Sequence, residues 1–177
     1  MIVLFLDFDG VLNNMDEPDS YMVLSRNNVN NLNQLFLEVP DIKIVISSSW
    51  RIGNTLSNLK RILRNAGFMF IDSVIGVTPI SNDGTRGSEI KEWLDTNQNI
   101  DDFIIIDDDI DVDPFSNRLF RTFFRKGLTE FESEFMAHLV ITDKSGKSTT
   151  MGEALLPQYE KNLQDKSMPQ FLLGEGN

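Results

Sequence analysis

Apolar residues fall along this chain in two alternating rhythms: short unbroken runs, and runs spaced at helical intervals. Ile2 to Leu6 is an unbroken run that leads straight into Asp7, Asp9 and Gly10. Ile42 to Ile46 repeats the pattern and ends in Ser47, Ser48, Ser49, Trp50 and Arg51, and Phe103 to Ile106 repeats it again before Asp107, Asp108, Asp109, Asp111 and Asp113. Such runs predict strands buried on both faces. Phe68 to Val77, closed by Thr78-Pro79, reads as a further strand region, and Asn117 to Phe123 as a fifth strand. Between them the spacing turns helical. Ser25 is placed to cap a helix carrying Val29, Leu32, Leu35 and Phe36 that stops before Pro40. Leu56, Leu59, Ile62, Leu63 and Ala66 mark a second helix with Gly67 as its C-terminal cap. Ser81 to Gly87 is a loop ahead of a helix over Ser88 to Asn97, and Thr129 with Glu132 signs the start of a last helix carrying Phe131, Phe135, Met136 and Leu139.

Strands alternating with helices predict an α/β, Rossmann-like parallel sheet with helices on both faces. Chemistry in such sheets collects at the carboxyl ends of the strands. Three of the four clearest strands end in Asp-x-Asp, in serines and in Asp-Asp, so the pattern alone brings three polar clusters to one edge. Asn13 to Leu24, polar and carrying Pro18, reads as a loop or short flap near that edge.

Length and composition narrow the picture. The 177 residues suit one domain, divided into a core over 1–140 and a C-terminal extension over 141–177, partly helical with a mobile end. The absence of cysteine removes disulfides and thiolate metal sites and fits a cytoplasmic location. The apolar start lacks a basic leader and meets Asp7 too soon for a signal peptide, and no stretch reaches the length of a membrane span. A formal net charge of −11 disfavours broad attachment to nucleic acid or anionic membrane, leaving a local basic patch or a bound cation as the routes to a polynucleotide.

Carboxylates against an apolar strand need a cation, donors or both. Mg²⁺ takes hard oxygen ligands and keeps several waters, so acids from different strand ends suffice to hold it; Asp7, Asp9, Asp107 and Asp108 are the candidates. With charge screened, Asp7 is placed to attack a phosphoryl group and Asp9 to shuttle a proton to the leaving group and from water. Gly10 lets the backbone turn closely around the phosphate. Ser47 is a hydrogen-bond donor to a phosphoryl oxygen, with Ser48 beside it, and Arg86 or Lys91 is the cation for the covalent intermediate.

These residues also carry a resemblance. DFDGV after an apolar strand, a hydroxyl residue ending the second strand, a basic residue ahead of the fourth and IIIDDD at its end resemble motifs I to IV of the haloacid dehalogenase (HAD) superfamily of phosphatases. FLDFDGVLNN, IVISSSWR, VTP, RGSEIKEWLD, IIIDDD and KGLTE, in that order over roughly residues 2 to 135, are similar to the HAD-like domain of Swiss Army Knife RNA repair proteins. The resemblance implies a phosphoric monoester hydrolase with Asp7 as nucleophile and Asp9 as general acid/base and, through its backbone carbonyl, a metal ligand. It further implies Ser47 as the second-motif hydroxyl and Asp108, with Asp107 beside it, as the fourth-motif metal ligand. For the third motif Arg86 is favoured, as a residue of the loop entering a helix, over Lys91 a turn farther on. No interval holds a cap domain, which implies an open cleft able to admit the end of a large substrate such as a nucleic acid or phosphoprotein, and the subfamily resemblance alone points to a polynucleotide end or nucleotide.

Each feature has a plainer reading. A receiver-like module, storing phosphate without hydrolysis, also gathers acids, a hydroxyl and a cation at a sheet edge, but does not pair its nucleophile with an Asp two residues on. Asp109, Asp111 and Asp113 read as a solvated acidic loop, since Pro114 stands where a calcium loop needs glycine. Arg51 is read equally as a phosphate ligand or as the partner of an acid. Trp50, Trp93 and His138 read as packing residues, and Gly146-Lys147-Ser148 as a surface turn because Ile141 stands where a P-loop needs its first glycine.

Overall fold

A computed structural model describes residues 1–17 and 23–144, the side chains of 138–144 excepted. Five parallel strands form one sheet in the order β3-β2-β1-β4-β5: β1 Ile2–Leu6, β2 Lys43–Ile46, β3 Val74–Val77, β4 Asp102–Asp107 and β5 Leu119–Arg121. Among the described residues four α-helices accompany them: α1 Arg26–Glu38, α2 Leu56–Asn65, α3 Arg86–Thr96 and α4 Glu130–Lys144. The predicted α/β sheet is the one found, and the first strand in sequence lies at its centre.

The alternation of side chains along β1 sorts the core into two layers. Leu4 and Leu6, with Ile44, Ile46, Ile104 and Ile106, pack against Val29, Leu32 and Phe36 of α1, Leu59 and Leu63 of α2, and Met136 and Ala137 of α4. Val3 and Phe5, with Val45 and Ile105, pack against Ile90 and Trp93 of α3 and Val112. One helix and a loop thus cover a face that three helices cover on the other side. Among the described residues no helix is long and apolar enough to cross a membrane.

Several predicted boundaries move, each for a local reason. Of the strand expected over Phe68 to Val77 only Val74–Val77 pairs, behind a 3-10 turn over Ile71–Ser73. Asn33 of α1 donates to the Gly67 carbonyl and accepts from the Met69 N–H, and Phe68 and Phe70 turn their rings onto Phe36, so this stretch satisfies its polar groups without a sheet partner. The fifth strand is short for the same kind of reason, a 3-10 turn occupying Ser116–Arg118. Helix α3 begins at Arg86, two residues before the expected start, because Thr85 caps it and Asp83 gathers Ser81, Thr85 and Ser88 around one carboxylate. Ser25 does cap α1, and the Glu132 carboxylate accepts from the Thr129 N–H as the start signal of α4 predicts. The expectations for residues 145–177, including the Gly146 turn and most of the extension, for Pro18 in the flap and for the His138 side chain lie outside the described residues.

Candidate active site

Register places the site. β1 pairs with β2 through Leu6 and Ile46 and with β4 through Leu6 and Ile106, so the next residues of all three strands come level. The ladder runs one step further: Asp7 N–H donates to Ile106 C=O, Ser47 N–H to Leu6 C=O, and Thr78 N–H to Ile46 C=O, each at 3.0 Å. The chain leaves β1 toward β2 and leaves β4 toward β5, so its direction reverses between the adjacent strands β1 and β4, the place where doubly wound sheets open a crevice. One oxygen from each of Asp7, Asp107 and Asp108 can be chosen so that all lie within 4.8 Å of one another. Gly10 makes room for this: its φ is +66°, and a Cβ there would stand 2.6 Å from Asp108 Cγ.

The cation that meets these acids is Arg86. Its Nη2 lies 3.4 Å from Asp7 Oδ1 and its Nε 3.0 Å from Asp107 Oδ2. It reaches them as the first residue of α3, and that turn is pressed onto the loop after β4. The Arg86 N–H donates to the Asp111 carboxylate and Gly87 N–H to the Asp111 carbonyl, while any Cβ at Gly87 would fall 1.9 Å from the Asp113 carbonyl oxygen. Asp111 therefore anchors a helix and is not simply solvated. The Asp107 and Arg86 atoms are close without the alignment of a hydrogen bond, and Asp107 Oδ2, Arg86 Nε, Ser47 Oγ and Thr78 Oγ1 are buried with no hydrogen-bond partner among the described residues. Two of these atoms face each other as an ion pair, and the other two are the Ser47 and Thr78 hydroxyls at the same sheet edge.

Burial dominates the electrostatics. It pushes the Asp7 carboxyl up to about 6 against the pull of Arg86 and a Ser48 hydrogen bond. Asp107 goes up to about 7, from burial first and the neighbouring Asp7 charge second, and Asp108 is raised by burial too. For Arg86 burial works to lower the pKa, but the charges of Asp107 and Asp7 outweigh it and raise it. Three clustered acids, two of them on one arginine, leave negative charge in excess. A small hard cation fits this donor set of carboxylate oxygens, one of which makes no hydrogen bond among the described residues.

Residues 3–132 match the family described as the HAD domain in Swiss Army Knife RNA repair proteins. The chain belongs to that family. Comparisons with curated proteins and with solved structures found no match. Membership supports phosphatase-like HAD chemistry at the acid cluster.

Within this HAD domain the remaining candidates separate. Asp9 is not one of the clustered carboxylates. Its Oδ1 accepts from Asn13 Nδ2 at 2.7 Å and its Oδ2 from Trp50 Nε1 at 2.9 Å, while Asn13 Oδ1 accepts from Gly10 N–H at 2.8 Å. Trp50 is thus more than a packing residue. The signal lies in the adjacency of SSSW to the second strand end, but which side chain an indole N–H meets is a tertiary fact. Arg51 resolves as the partner of an acid: Glu89 of α3 lies 2.5 Å away, and its other donors reach the carbonyls of Ser47, Ser48, Thr78 and Pro79. With every N–H engaged it has none to offer a phosphate. Lys91 pairs with Asp95 on the exposed side of α3, so of the two candidate cations it is Arg86 that meets the acids. Ser48 Oγ accepts from Trp50 N–H at the start of the 3-10 turn Ser49–Arg51. The loop carrying Asp9 and Gly10 is held from behind, by Thr122 Oγ1 on the Gly10 carbonyl and Leu128 N–H on the Val11 carbonyl.

Proposed function

We propose that this HAD domain is a magnesium-dependent phosphomonoesterase working through an aspartyl-phosphate on Asp7, with nucleotides or nucleic-acid ends as substrates. The observation that carries the reading is the cluster of Asp7, Asp107 and Asp108, the first two met by Arg86, with a fully buried Ser47 hydroxyl at the same sheet edge that has no hydrogen-bond partner among the described residues. Asp7, Asp107 and Asp108 would hold Mg²⁺, which when bound supplies charge neutralisation to the site. Asp7 attacks phosphorus with the oxygen not engaged by Arg86, and the Ser47 hydroxyl donates to a phosphoryl oxygen. Asp9, fixed by two donors, hands its proton to the departing oxygen and takes one from the water that cleaves the acyl phosphate. The polynucleotide preference rests on the family's description alone.

The test is metal-dependent release of phosphate from an aryl phosphate. Asp7→Asn is expected to abolish it, and turnover surviving that change overturns the mechanism. A long-lived acyl phosphate on Asp7, in place of turnover, is the outcome that selects a receiver-like module instead.

A further inference from the structure

Beside Asp9 the surface opens into a cleft of about 600 Å³, within the range of sites that enclose small organic ligands. Its wall is unlike the acid cluster. Trp50, Phe124, Ile62 and Met15 give it an apolar side, Asn13, Asn14 and Asn54 add amides, and among the described residues that line it only Asp9 is charged. Asp9 faces the leaving group in the proposed reaction, so whatever occupies this cleft is what the phosphate is attached to. Trp50 serves both sides: its N–H holds the Asp9 carboxylate while its ring, propped edge-on by Phe8 at 5.6 Å, lines the cleft.

We infer that the cleft is the leaving-group subsite and takes the planar base of a nucleoside phosphomonoester. This rests on the phosphomonoesterase reading for its orientation. A sugar or glycerol could use the amides but leaves the aromatic faces of Trp50 and Phe124 uncovered, whereas every nucleobase has a π-face that stacks on aromatic side chains. A phenol, as in phosphotyrosine, is planar too, but it fills a small part of such a volume and makes no use of amides along the wall. A nucleoside sets its base a sugar away from the reacting oxygen and presents donors and acceptors at the base edge. Arg125 and Lys126 follow Phe124 in the chain, are well exposed, and share Asp16, next to Met15, as a partner. With one shared acid between them, they leave one positive charge in excess next to Phe124 in the chain.

Two measurements on the full chain test this. Tryptophan fluorescence of Asp7→Asn is titrated with adenosine and guanosine monophosphates, glycerol phosphate and a phosphotyrosyl peptide. Saturable quenching by the nucleotides, weakened about tenfold when Phe124→Ala is added and recovered with Phe124→Tyr, is the expected result. Magnesium-dependent phosphate release is then compared in Phe124→Ala: KM should rise at least fivefold more for 3′- or 5′-nucleotides and phosphorylated dinucleotides than for glycerol phosphate. The inference is overturned by the absence of saturable nucleotide quenching at millimolar concentration, by equal effects of Phe124→Ala on all esters, or by preference for the phosphotyrosyl peptide. Quenching without turnover of any ester would instead overturn the phosphatase reading and leave the cleft as a nucleotide site.

Discussion

At the scale of single residues the site depends on who holds Asp9. Trp50→Phe keeps a ring in place but removes the donor to Asp9 Oδ2; a hydrogen bond to a charged group is worth about 1.5–3 kcal/mol, so kcat should fall about tenfold or more. The loss should be large for alkyl phosphates, whose leaving group needs a proton, and small for a nitrophenyl phosphate, whose leaving group does not; equal losses would make Trp50 structural only. Gly10→Ala is expected to be severe for a different reason. It forces a positive φ on a residue with a side chain and drives that side chain into Asp108, which should lower both stability and magnesium affinity, checked by melting temperature and calorimetric titration. Asp7, Asp107 and Asp108 were legible in the sequence because an acid that directly follows a buried apolar strand is costly unless a cation or donors meet it. The restraints on Asp9 were not, because hydrogen bonds between residues 9, 13 and 50 depend on how a loop folds back.

Among elements, the link between the β2 end and α3 is Arg51 with Glu89. Both are almost completely buried, and removing one partner of such a pair costs about 3–5 kcal/mol through the charge left behind. Glu89→Gln should therefore lower the melting temperature by several degrees while the folded fraction keeps its kcat; a selective loss of activity at unchanged stability would return Arg51 to the substrate. The strands and helices were legible from periodicity alone where one face or both are buried, as in Ile42 to Ile46 or the Val29, Leu32, Phe36 stripe. Boundaries failed where a side chain replaced backbone pairing, as Asn33 does at Gly67 and Met69, or where a cap lay upstream of the apolar pattern, as Thr85 does. Helix α3 begins early, and that shift is what puts Arg86 on a helix end pinned by Asp111.

Across the whole molecule the raised carboxyls couple stability to pH. The folded state keeps Asp7 and Asp107 protonated at a pH where the unfolded chain has already released those protons, so it binds more protons between about pH 4 and pH 7. Stability from this source is full below the ordinary carboxylate value and lost as pH rises through about 6 to 7. Metal-free protein should accordingly melt at a falling temperature over that interval, Mg²⁺ should restore more of it at pH 7.5 than at pH 5, and Asp107→Asn should flatten the dependence. Asp16 and Asp83, whose pKa values are lowered by their donors, act in the opposite sense and only in more acid solution. The strand order carries a further consequence, for synthesis. β1 is made first yet lies at the centre, and its β4 neighbour follows only after residues 7–101. Throughout that interval a nascent chain holds out an apolar edge with unpaired N–H and C=O groups, and that edge already bears the nucleophile. Chains halted before β4 should therefore be captured by chaperones or aggregate, and the burden falls on the same segment that does the chemistry.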